Sequence, residues 1–279
     1  MAASIKNLLM EARKRLSTVE TPELDAEILL AYVLQKPRSF LHTWPQKILN
    51  DAEISAYFSL LKRRQSGEPV AYLVGNKDFF AINLQVDANV LIPRPETELI
   101  VEAILALDLP EQHIRFADLG TGSGAIALSI ANACPHWEIH AVDISENALT
   151  IAKKNAQILQ ISNVTFHQGS WLAALRIADF NVIAANPPYL SEVEWPDFKE
   201  RLRYEPKLAL VSGDDGLVAI REIVKTAPDY LVSGGHLLLE HGYCQGAAVR
   251  EILNQQSFSE IKTLRDLSGH ERLTMGKSS

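Results

Sequence analysis

Along the first 75 residues, apolar positions recur at the three- and four-residue spacing of amphipathic helices, first over residues 5–12 and again over residues 24–32. A further helix is expected to open at Asp51, and the Gly-Glu-Pro sequence at residues 67–69 ends the helical pattern. The spacing therefore predicts a small helical bundle, which we place at residues 1–77.

The pattern changes at residues 78–92, where apolar residues alternate with polar ones. Such alternation predicts β-strands, and the polar Asp-Ala-Asn sequence at residues 87–89 predicts the turn of a β-hairpin. Two prolines follow closely and favour a stiff, extended connector before the next helix. We therefore predict that residues 78–96 join the helical bundle to a second domain at residues 97–279.

In this second domain, apolar segments of strand length alternate with segments of helical periodicity. Strands are predicted at residues 115–119, 138–144, 164–167, 180–185 and 235–240. Helices are predicted between them at residues 124–132, 147–159 and 217–230. Two last strands, at residues 261–266 and 272–275, are expected to pair antiparallel at the sheet edge, because no helical pattern separates them. The prediction is an α/β fold with a mostly parallel, seven-stranded sheet covered on both faces.

Charge adds one contrast between the two parts of the chain. Of the net charge of −7, residues 1–77 carry 11 basic and 8 acidic side chains (+3), and residues 78–279 carry 16 and 26 (−10). The acidic second part argues against a protein that wraps duplex nucleic acid, so no nucleic-acid substrate is expected.

Other features exclude some classes of protein. Cys134 and Cys244 lie in unrelated contexts with no metal-ligand spacing around them, so no metal is expected. Because the sequence has no signal-peptide pattern and no apolar run that could span a bilayer, we expect a cytoplasmic protein that does not bind membranes.

A glycine-rich turn follows the first predicted strand of the second domain and opens a helix. Its residues are Gly120, Thr121, Gly122, Ser123 and Gly124. The G-x-G-x-G spacing differs from that of dinucleotide-binding proteins, and the lysine of a phosphate-binding loop is missing. Asp143 ends the next strand, where a carboxylate can accept hydrogen bonds from both ribose hydroxyls, although a helix cap near Ser145 would also explain it. The combination favours a nucleoside cofactor without phosphate, namely S-adenosylmethionine.

A second motif, Asn186-Pro187-Pro188-Tyr189, directly follows a predicted buried strand. The Asn186 side-chain oxygen and the Pro187 carbonyl can accept the two hydrogens of an NH2 group, and Tyr189 can stack on a flat substrate. A planar nitrogen is a poor nucleophile and must be held in line with the methyl carbon. The motif therefore predicts methyl transfer to adenine, cytosine or glutamine, and it does not choose among them.

Further segments with a distinctive sequence are spread along the chain. They are G-E-P-V-A-Y at residues 67–72, L-I-P-R-P-E-T-E at 91–98, R-Y-E-P-K-L-A-L at 203–210, G-D-D-G-L at 213–217 and E-H-G-Y at 240–243. Together with residues 118–124 and 186–189, they resemble the release factor glutamine methyltransferase family, whose members are class I methyltransferases with a Rossmann-like fold. The segment around Arg94 is the most discriminating, since nucleic-acid methyltransferases rarely share it.

The resemblance implies methylation of the glutamine in the Gly-Gly-Gln motif of class I peptide chain release factors. It implies that Asn186 and Pro187 hold the glutamine amide, and that Pro188 and Tyr189 complete the substrate site. The helical front domain would then recognise the release factor away from the reacting glutamine. A monomer is expected.

The resemblance also implies which residues contact the cofactor. These are the five residues of the glycine turn, Asp143, Trp171 and Asn186. A core position would explain Trp171 equally well. The chain departs from the expected pattern at Ser170, where many class I methyltransferases carry an acidic residue near the adenine, and at Ala81, where glycine is expected in the hairpin.

Three alternatives remain open from the residues. One is a nucleic-acid methyltransferase acting on adenine or cytosine, for which Arg201, Arg203 and Lys207 could form a local basic patch. A second is a glutamine methyltransferase for a ribosomal protein, which would share the same pocket. The third is a protein of another class, which binds S-adenosylmethionine without transferring its methyl group.

Overall fold

The computed structural model describes residues 3–109 and 113–279, and the chain divides into two compact units, Met1–Asn76 and Lys77–Ser279. The first unit is helical, with an apolar core of its own. Its helices are α1 (Ile5–Arg15), α2 (Pro22–Leu34), α3 (Arg38–Thr43), α4 (Asp51–Gln65) and α5 (Val70–Val74).

Local sequence explains where the helices of this unit begin. The Ser4 side chain accepts a hydrogen bond from a backbone amide in the first turn of α1, and Asn50 and Glu53 form a capping box at α4. In the core, Tyr57 is fully buried and donates its hydroxyl hydrogen to the Ala26 carbonyl over 3.0 Å. The helical spacing of apolar residues thus produces the predicted bundle.

The hairpin is present, but its turn lies elsewhere than predicted. Strands β1 (Asn76–Phe79) and β2 (Ile82–Gln85) pair, so the hairpin turn is at residues 80–81. The prediction that residues 87–89 form the hairpin turn is therefore wrong. The first turn residue has a φ of +51°, which permits this short connection. Residues 87–89 form a separate turn, in which the aspartate side chain accepts a hydrogen bond from the backbone amide two residues later over 2.8 Å.

A seven-stranded sheet forms the centre of the second unit, in the order β5-β4-β3-β6-β7-β9-β8. The strands are β3 (Arg115–Leu119), β4 (Glu138–Asp143), β5 (Val164–Gln168), β6 (Phe180–Ala185), β7 (Leu231–Glu240), β8 (Ser259–Arg265) and β9 (Glu271–Lys277). Strands β3 to β7 are parallel, whereas β9 is antiparallel to both β7 and β8. The structure confirms the predicted mostly parallel sheet and its closing antiparallel pair.

Helices cover the sheet, and alternate strand residues belong to two separate apolar clusters. The helices are α6 (Glu98–Leu105), α7 (Ala125–Ala133), α8 (Glu146–Ile158), α9 (Trp195–Leu202), α10 (Val218–Thr226) and α11 (Gly246–Gln255). In β3, Phe116 belongs to one cluster and Ala117 to the other, as expected when successive side chains point to opposite faces. No helix in the described part of the chain is long and apolar enough to cross a membrane.

The parallel register brings the ends of four strands to one edge of the sheet. Leu119 at the end of β3 is level with Val142 in β4 and with Ala185 in β6, and Ala185 is level with Leu239 in β7. The strand order reverses between β3 and β6, and in open α/β sheets ligands bind outside the carboxyl ends at such a reversal. This edge therefore carries the candidate site.

Candidate functional site

The glycine turn is held in shape by Asp118, the fourth residue of β3. Its Oδ2 atom accepts hydrogen bonds from the Thr121 hydroxyl over 2.6 Å and from the Ala127 amide over 3.1 Å. Gly120 and Gly122 have φ values of +74° and +56°, a region that glycine enters without steric cost. The side chain of Asp118 thus fixes the backbone of the turn and the first turn of α7 together.

Asp118 is fully buried, and its burial raises the pKa of its carboxyl to about 7, although its hydrogen bonds oppose the shift. Its Oδ1 atom has no hydrogen-bond partner within residues 3–109 and 113–279. Sequence reasoning placed Asp118 in a family motif but assigned it no role. The signal that could have found it is an acidic residue inside an otherwise apolar strand that leads into glycines.

Asp143, at the end of β4, also holds backbone amides. Its Oδ2 atom accepts the Gly122 amide over 2.8 Å, and its Oδ1 atom accepts the Ser145 amide over 2.9 Å. Burial raises the pKa of Asp143, and hydrogen bonds from the backbone lower it in part. The cap of α8 is Ser145, whose hydroxyl accepts the Ala148 amide, so helix capping does not account for Asp143.

A cavity of about 400 Å³ opens at this edge, within the usual size range of small-molecule sites. Several predicted site residues line it, namely Gly120, Gly122, Asp143, Trp171, Asn186 and Pro188. Thr121, Ser123 and Gly124 belong to the turn but lie outside the lining, and the first two are buried. The Thr121 hydroxyl faces Asp118, and the Ser123 carbonyl accepts a hydrogen bond from Asn155 over 2.9 Å.

The wall of the cavity beside Gly120 is formed by Trp171. A Cβ atom added at Gly120 would lie 3.3 Å from the Trp171 ring, so only glycine allows the ring to pack this closely. Trp171 also packs against one apolar cluster of the sheet, and it is therefore both a core residue and a cavity residue. Ser170 contacts the carboxylate of Glu222 over 3.5 Å, and Glu222 lines the cavity too. Glu222 of α10 thus supplies an acidic group close to Ser170, the position where many class I methyltransferases carry one.

These features fit S-adenosylmethionine. A glycine turn that a ligand can approach closely, a half-buried carboxylate at the end of the neighbouring strand and an aromatic wall suit a nucleoside cofactor. Both oxygens of Asp143 accept backbone amides, and a carboxylate can accept about four hydrogen bonds in all. No group of three or more possible metal ligands occurs among the described residues.

Asn186 follows β6 and is half buried. Its Nδ2 atom donates a hydrogen bond to the Thr97 hydroxyl oxygen over 3.0 Å. This bond turns the amide so that its Oδ1 atom is left to accept from a ligand. Pro187 is buried behind it, and Pro188 faces the first cavity.

A second cavity of about 320 Å³ lies on the other side of Asn186. Its lining includes Arg94, Tyr189, Phe198 and Arg272. Burial and the nearby charge of a carboxylate raise the pKa of Tyr189 to about 12, so its phenol stays neutral at physiological pH. Asn186 lines both cavities, and it therefore stands at the boundary between them.

The connector before α6 is anchored beside this second cavity. The Arg94 guanidinium binds the buried Glu205 carboxylate at 2.5 Å, and the other oxygen of Glu205 accepts the Ile92 amide over 3.1 Å. These bonds join the Arg-Pro segment at residues 94–95 to the Tyr-Glu-Pro segment at residues 204–206. Arg272 is paired as well, with Asp266 at 3.0 Å.

Comparisons with known proteins give matches in both units of the chain. Two family models match: the PrmC N-terminal domain over residues 7–75 and the methyltransferase small domain over residues 97–213. A release factor glutamine methyltransferase of Coxiella burnetii is 44% identical over 98% of this chain and 99% of its own length. Another, of Pseudomonas aeruginosa, is 48% identical over 91% of this chain and 92% of its own.

The fold has solved counterparts as well. The crystal structure of a methyltransferase from Pyrococcus furiosus matches with a TM-score of 0.53 at 18% identity, over 72% of this chain and 90% of that one. At this identity the likeness shows the class I methyltransferase fold alone.

Proposed function

The chain belongs to the release factor glutamine methyltransferase family, and we propose that it methylates the glutamine of the Gly-Gly-Gln motif in class I peptide chain release factors. The acceptor is the side-chain amide nitrogen of that glutamine, and the methyl donor is S-adenosylmethionine. The relatives named above are release factor glutamine methyltransferases over nearly the full length of this chain, which supports the same reaction here.

The observation that carries the proposal is the position of Asn186 between two cavities. One cavity has the glycine turn and Asp143, which suit the donor, and the other has the aromatic rings of Tyr189 and Phe198, which suit a flat protein side chain. A methyl group can pass directly between two ligands only where their pockets meet. The side chain at this meeting point has an amide oxygen available to accept hydrogen bonds.

Bound S-adenosylmethionine supplies an electrophilic methyl group. We propose that the Asn186 Oδ1 atom and the Pro187 carbonyl accept the two N–H hydrogens of the glutamine amide and aim its nitrogen at that methyl group. These bonds strengthen as positive charge grows on the nitrogen, so they lower the barrier rather than merely bind the substrate. The Tyr189 ring, held as a neutral phenol, packs against the flat amide.

For the donor side, we propose contacts from the glycine turn at residues 120–124, Asp143, Trp171 and Asn186. The glycine turn would let the cofactor approach its backbone closely, and Asp143 would accept hydrogen bonds from the ribose hydroxyls of the cofactor. The lining of the larger cavity supports Gly120, Gly122, Asp143, Trp171 and Asn186 directly. Thr121, Ser123 and Gly124 would act by shaping the turn.

We further propose that residues 1–77 recognise the release factor away from the reacting glutamine. Their net charge of +3 contrasts with −10 in the rest of the chain, so the two parts present different surfaces to a partner. Deletion of residues 1–76 should abolish methylation of the intact factor while cofactor binding stays measurable by calorimetry. A deletion protein that methylates the factor at full efficiency would show that residues 1–77 are not needed for recognition.

We also propose that the protein acts as a monomer in the cytoplasm, where release factors work, and that it has no nucleic-acid substrate.

The decisive test incubates the purified protein with labelled S-adenosylmethionine and an unmethylated class I release factor, and maps the product by mass spectrometry. We expect a single methyl group on the Gly-Gly-Gln glutamine and no transfer to a factor in which that glutamine is replaced by alanine. Transfer to a ribosomal protein or to an RNA, with none to the release factor, would overturn the substrate assignment. Cofactor binding without transfer to any of them would point to an idle binding protein.

A further inference from the structure

The proposed role of Asn186 requires one orientation of its amide. A primary amide has nearly the same shape when its oxygen and nitrogen exchange places, but an exchanged amide would present N–H hydrogens to the N–H hydrogens of the glutamine. Packing alone discriminates weakly between the two orientations. Something beside Asn186 must therefore distinguish its oxygen from its nitrogen.

The neighbour that touches the amide is Thr97, whose hydroxyl oxygen accepts from Asn186 Nδ2 over 3.0 Å. Thr97 is 4% exposed and lies at the start of α6, but its side chain makes no capping hydrogen bond to that helix within the described part of the chain. A hydroxyl can either accept from the amide nitrogen or donate to the amide oxygen. Thr97 selects the orientation only if its own hydrogen is engaged elsewhere.

Glu240, the last residue of β7, provides that engagement. The register that pairs Ala185 with Leu239 puts Glu240 level with Asn186 on the neighbouring strand. The Glu240 carboxylate is close enough to the Thr97 hydroxyl for that hydroxyl to lower its pKa. An ionised carboxylate can only accept, so it takes the single hydrogen of Thr97 and leaves the hydroxyl oxygen as an acceptor for Asn186.

We propose that Thr97 and Glu240 are positioning residues that fix the amide orientation of Asn186 and so keep its oxygen toward the acceptor substrate. The inference rests on the proposed function, because it concerns the same amide clamp. The burial of Glu240 supports it, since this side chain is 2% exposed and its Oε2 atom lacks a partner among the residues that the structure describes. Burial of a carboxylate costs stability unless hydrogen bonds, ion pairs or protonation compensate for the loss of water.

The arrangement makes the clamp sensitive to pH. Burial raises the pKa of Glu240 to about 7, while the Thr97 hydroxyl opposes the shift. The charged and titratable groups facing it are Arg272 from β9, Arg94 and Glu96 from the connector, and Tyr189 from the loop after β6. When Glu240 is protonated, its own hydrogen can go to Thr97. The Thr97 hydrogen is then free to turn to Asn186 and invert its amide, so turnover should fall as pH decreases below about 7.

The test compares Thr97→Val, which has the same shape without a hydroxyl, with Thr97→Ser, which retains one. At saturating cofactor and release factor, we expect Thr97→Val to lower kcat by on the order of 10- to 100-fold, with the dissociation constant of S-adenosylmethionine changed less than about twofold. Thr97→Ser should recover most of the loss. A Thr97→Val protein with unchanged kcat, or a Thr97→Ser protein that is equally impaired, would overturn the proposal.

Glu240→Gln tests the other half through the pH profile. In the wild type, kcat at saturation should fall on the acid side with a midpoint near pH 7, and in Glu240→Gln this acid limb should disappear. An acid limb that persists unchanged in the variant, or is missing from the wild type, would show that Glu240 does not help to position Asn186. Saturation with cofactor separates this effect from protonation of Asp118, which acts on the cofactor turn.

A matched control is Ser129→Ala, which removes a buried hydroxyl with no hydrogen-bond partner in the part of the chain that the structure describes. It should leave kcat and its pH dependence unchanged. Wild-type protein that fails to methylate the release factor would refute the proposed function itself. An active wild-type protein together with an equally active Thr97→Val protein would refute only the positioning role of Thr97 and Glu240.

Discussion

Two regions at the same sheet edge are each built around a buried carboxylate, but they use it differently. Asp118, in β3, and Glu240, in β7, are both almost fully buried, and burial raises the pKa of each to about 7. Asp118 binds the amide of Ala127 and a hydroxyl within the glycine turn. Glu240 instead lies close to the Thr97 hydroxyl, whose oxygen accepts a hydrogen bond from the side chain of Asn186.

The difference decides what each region can do. The backbone has one conformation once the turn is folded, so the region around Asp118 presents a ligand surface that stays the same when side chains rotate. A side-chain amide can invert, so the region around Glu240 needs continuous control by its neighbours. We therefore expect changes in the first region to act on cofactor affinity, and changes in the second to act on the rate of transfer.

The largest expected effect is on the second region. Asn186→Ala removes the amide clamp, and we expect kcat to fall by about 10³-fold or more, because a transition-state hydrogen bond of this type is worth about 10²- to 10³-fold and orientation is lost as well. Single-turnover methylation of the release factor measures the loss.

The matched control is Asn181→Ala, near the start of the strand that precedes Asn186. Asn181 accepts a hydrogen bond from the Arg115 amide over 2.8 Å, at the opposite end of β6. The Asn181→Ala substitution should lower the free energy of unfolding and leave kcat near the wild-type value. Equal losses of rate in both variants would show that Asn186 serves only the fold.

Much of this architecture follows from local sequence. The strands β3 and β6 were predicted at their observed bounds, because each is a short apolar run between clear turn signals. The ends of these strands carry the glycine turn and Asn186, so their meeting at one edge follows from parallel pairing alone. The cavity lined by Gly120 and Asp143 is thus a consequence of the strand order.

Other parts could not be predicted because they depend on contacts between distant residues. The Asn186–Thr97 bond joins residues 89 positions apart, and nothing local marks the threonine as special. Glu240 reads as the polar end of an apolar strand until the fold buries it. The hairpin turn was misplaced because Asp87 closes a turn of its own, whereas the observed turn at residues 80–81 has no glycine or asparagine to reveal it.

Substituting the two buried carboxylates one at a time should show how much each contributes to the pH dependence of folding. For Glu240 the pKa is 4.5 in the unfolded chain and about 7 in the folded one, so folding binds a proton between these values. Stability from this group is retained below pH 4.5 and lost as pH rises to about 7, by on the order of 3 kcal/mol. Asp118, whose pKa rises from 3.8 to about 7, has the same sign.

Urea unfolding of wild type, Glu240→Gln and Asp118→Asn at pH 5 and pH 8 measures this effect. Each variant should gain stability relative to wild type as pH rises, and the double variant should gain the sum, since neither group is among the charges that shift the other. A difference from wild type that does not vary with pH would mean that the folded carboxyl titrates normally.

A smaller effect is expected for Asp143→Ala, which belongs to the first region. The dissociation constant of S-adenosylmethionine should rise by an amount equivalent to on the order of 1–3 kcal/mol, because a charge-assisted hydrogen bond is lost. kcat at saturating cofactor should change little. Glu146→Ala, an exposed carboxylate three residues later, is the control. Calorimetry that finds unaltered affinity would refute the ribose assignment.

The smallest effect isolates the backbone of the first region. Gly122 has a φ of +56° and Gly75, at the end of α5, has a φ of +75°, and a Cβ atom added at either would meet nothing within 4 Å. Replacement of either glycine by alanine should therefore lower the free energy of unfolding by about 1 kcal/mol, because alanine is strained in the left-handed conformation. The effect should be visible as a small drop in melting temperature. Only Gly122→Ala should also weaken cofactor binding, since Gly122 lines the cavity and the added methyl group would keep the ligand away from the backbone of the turn. Equal cofactor affinity in the two variants would mean that the ligand does not approach this part of the turn, and the first region would then act through side chains as the second does.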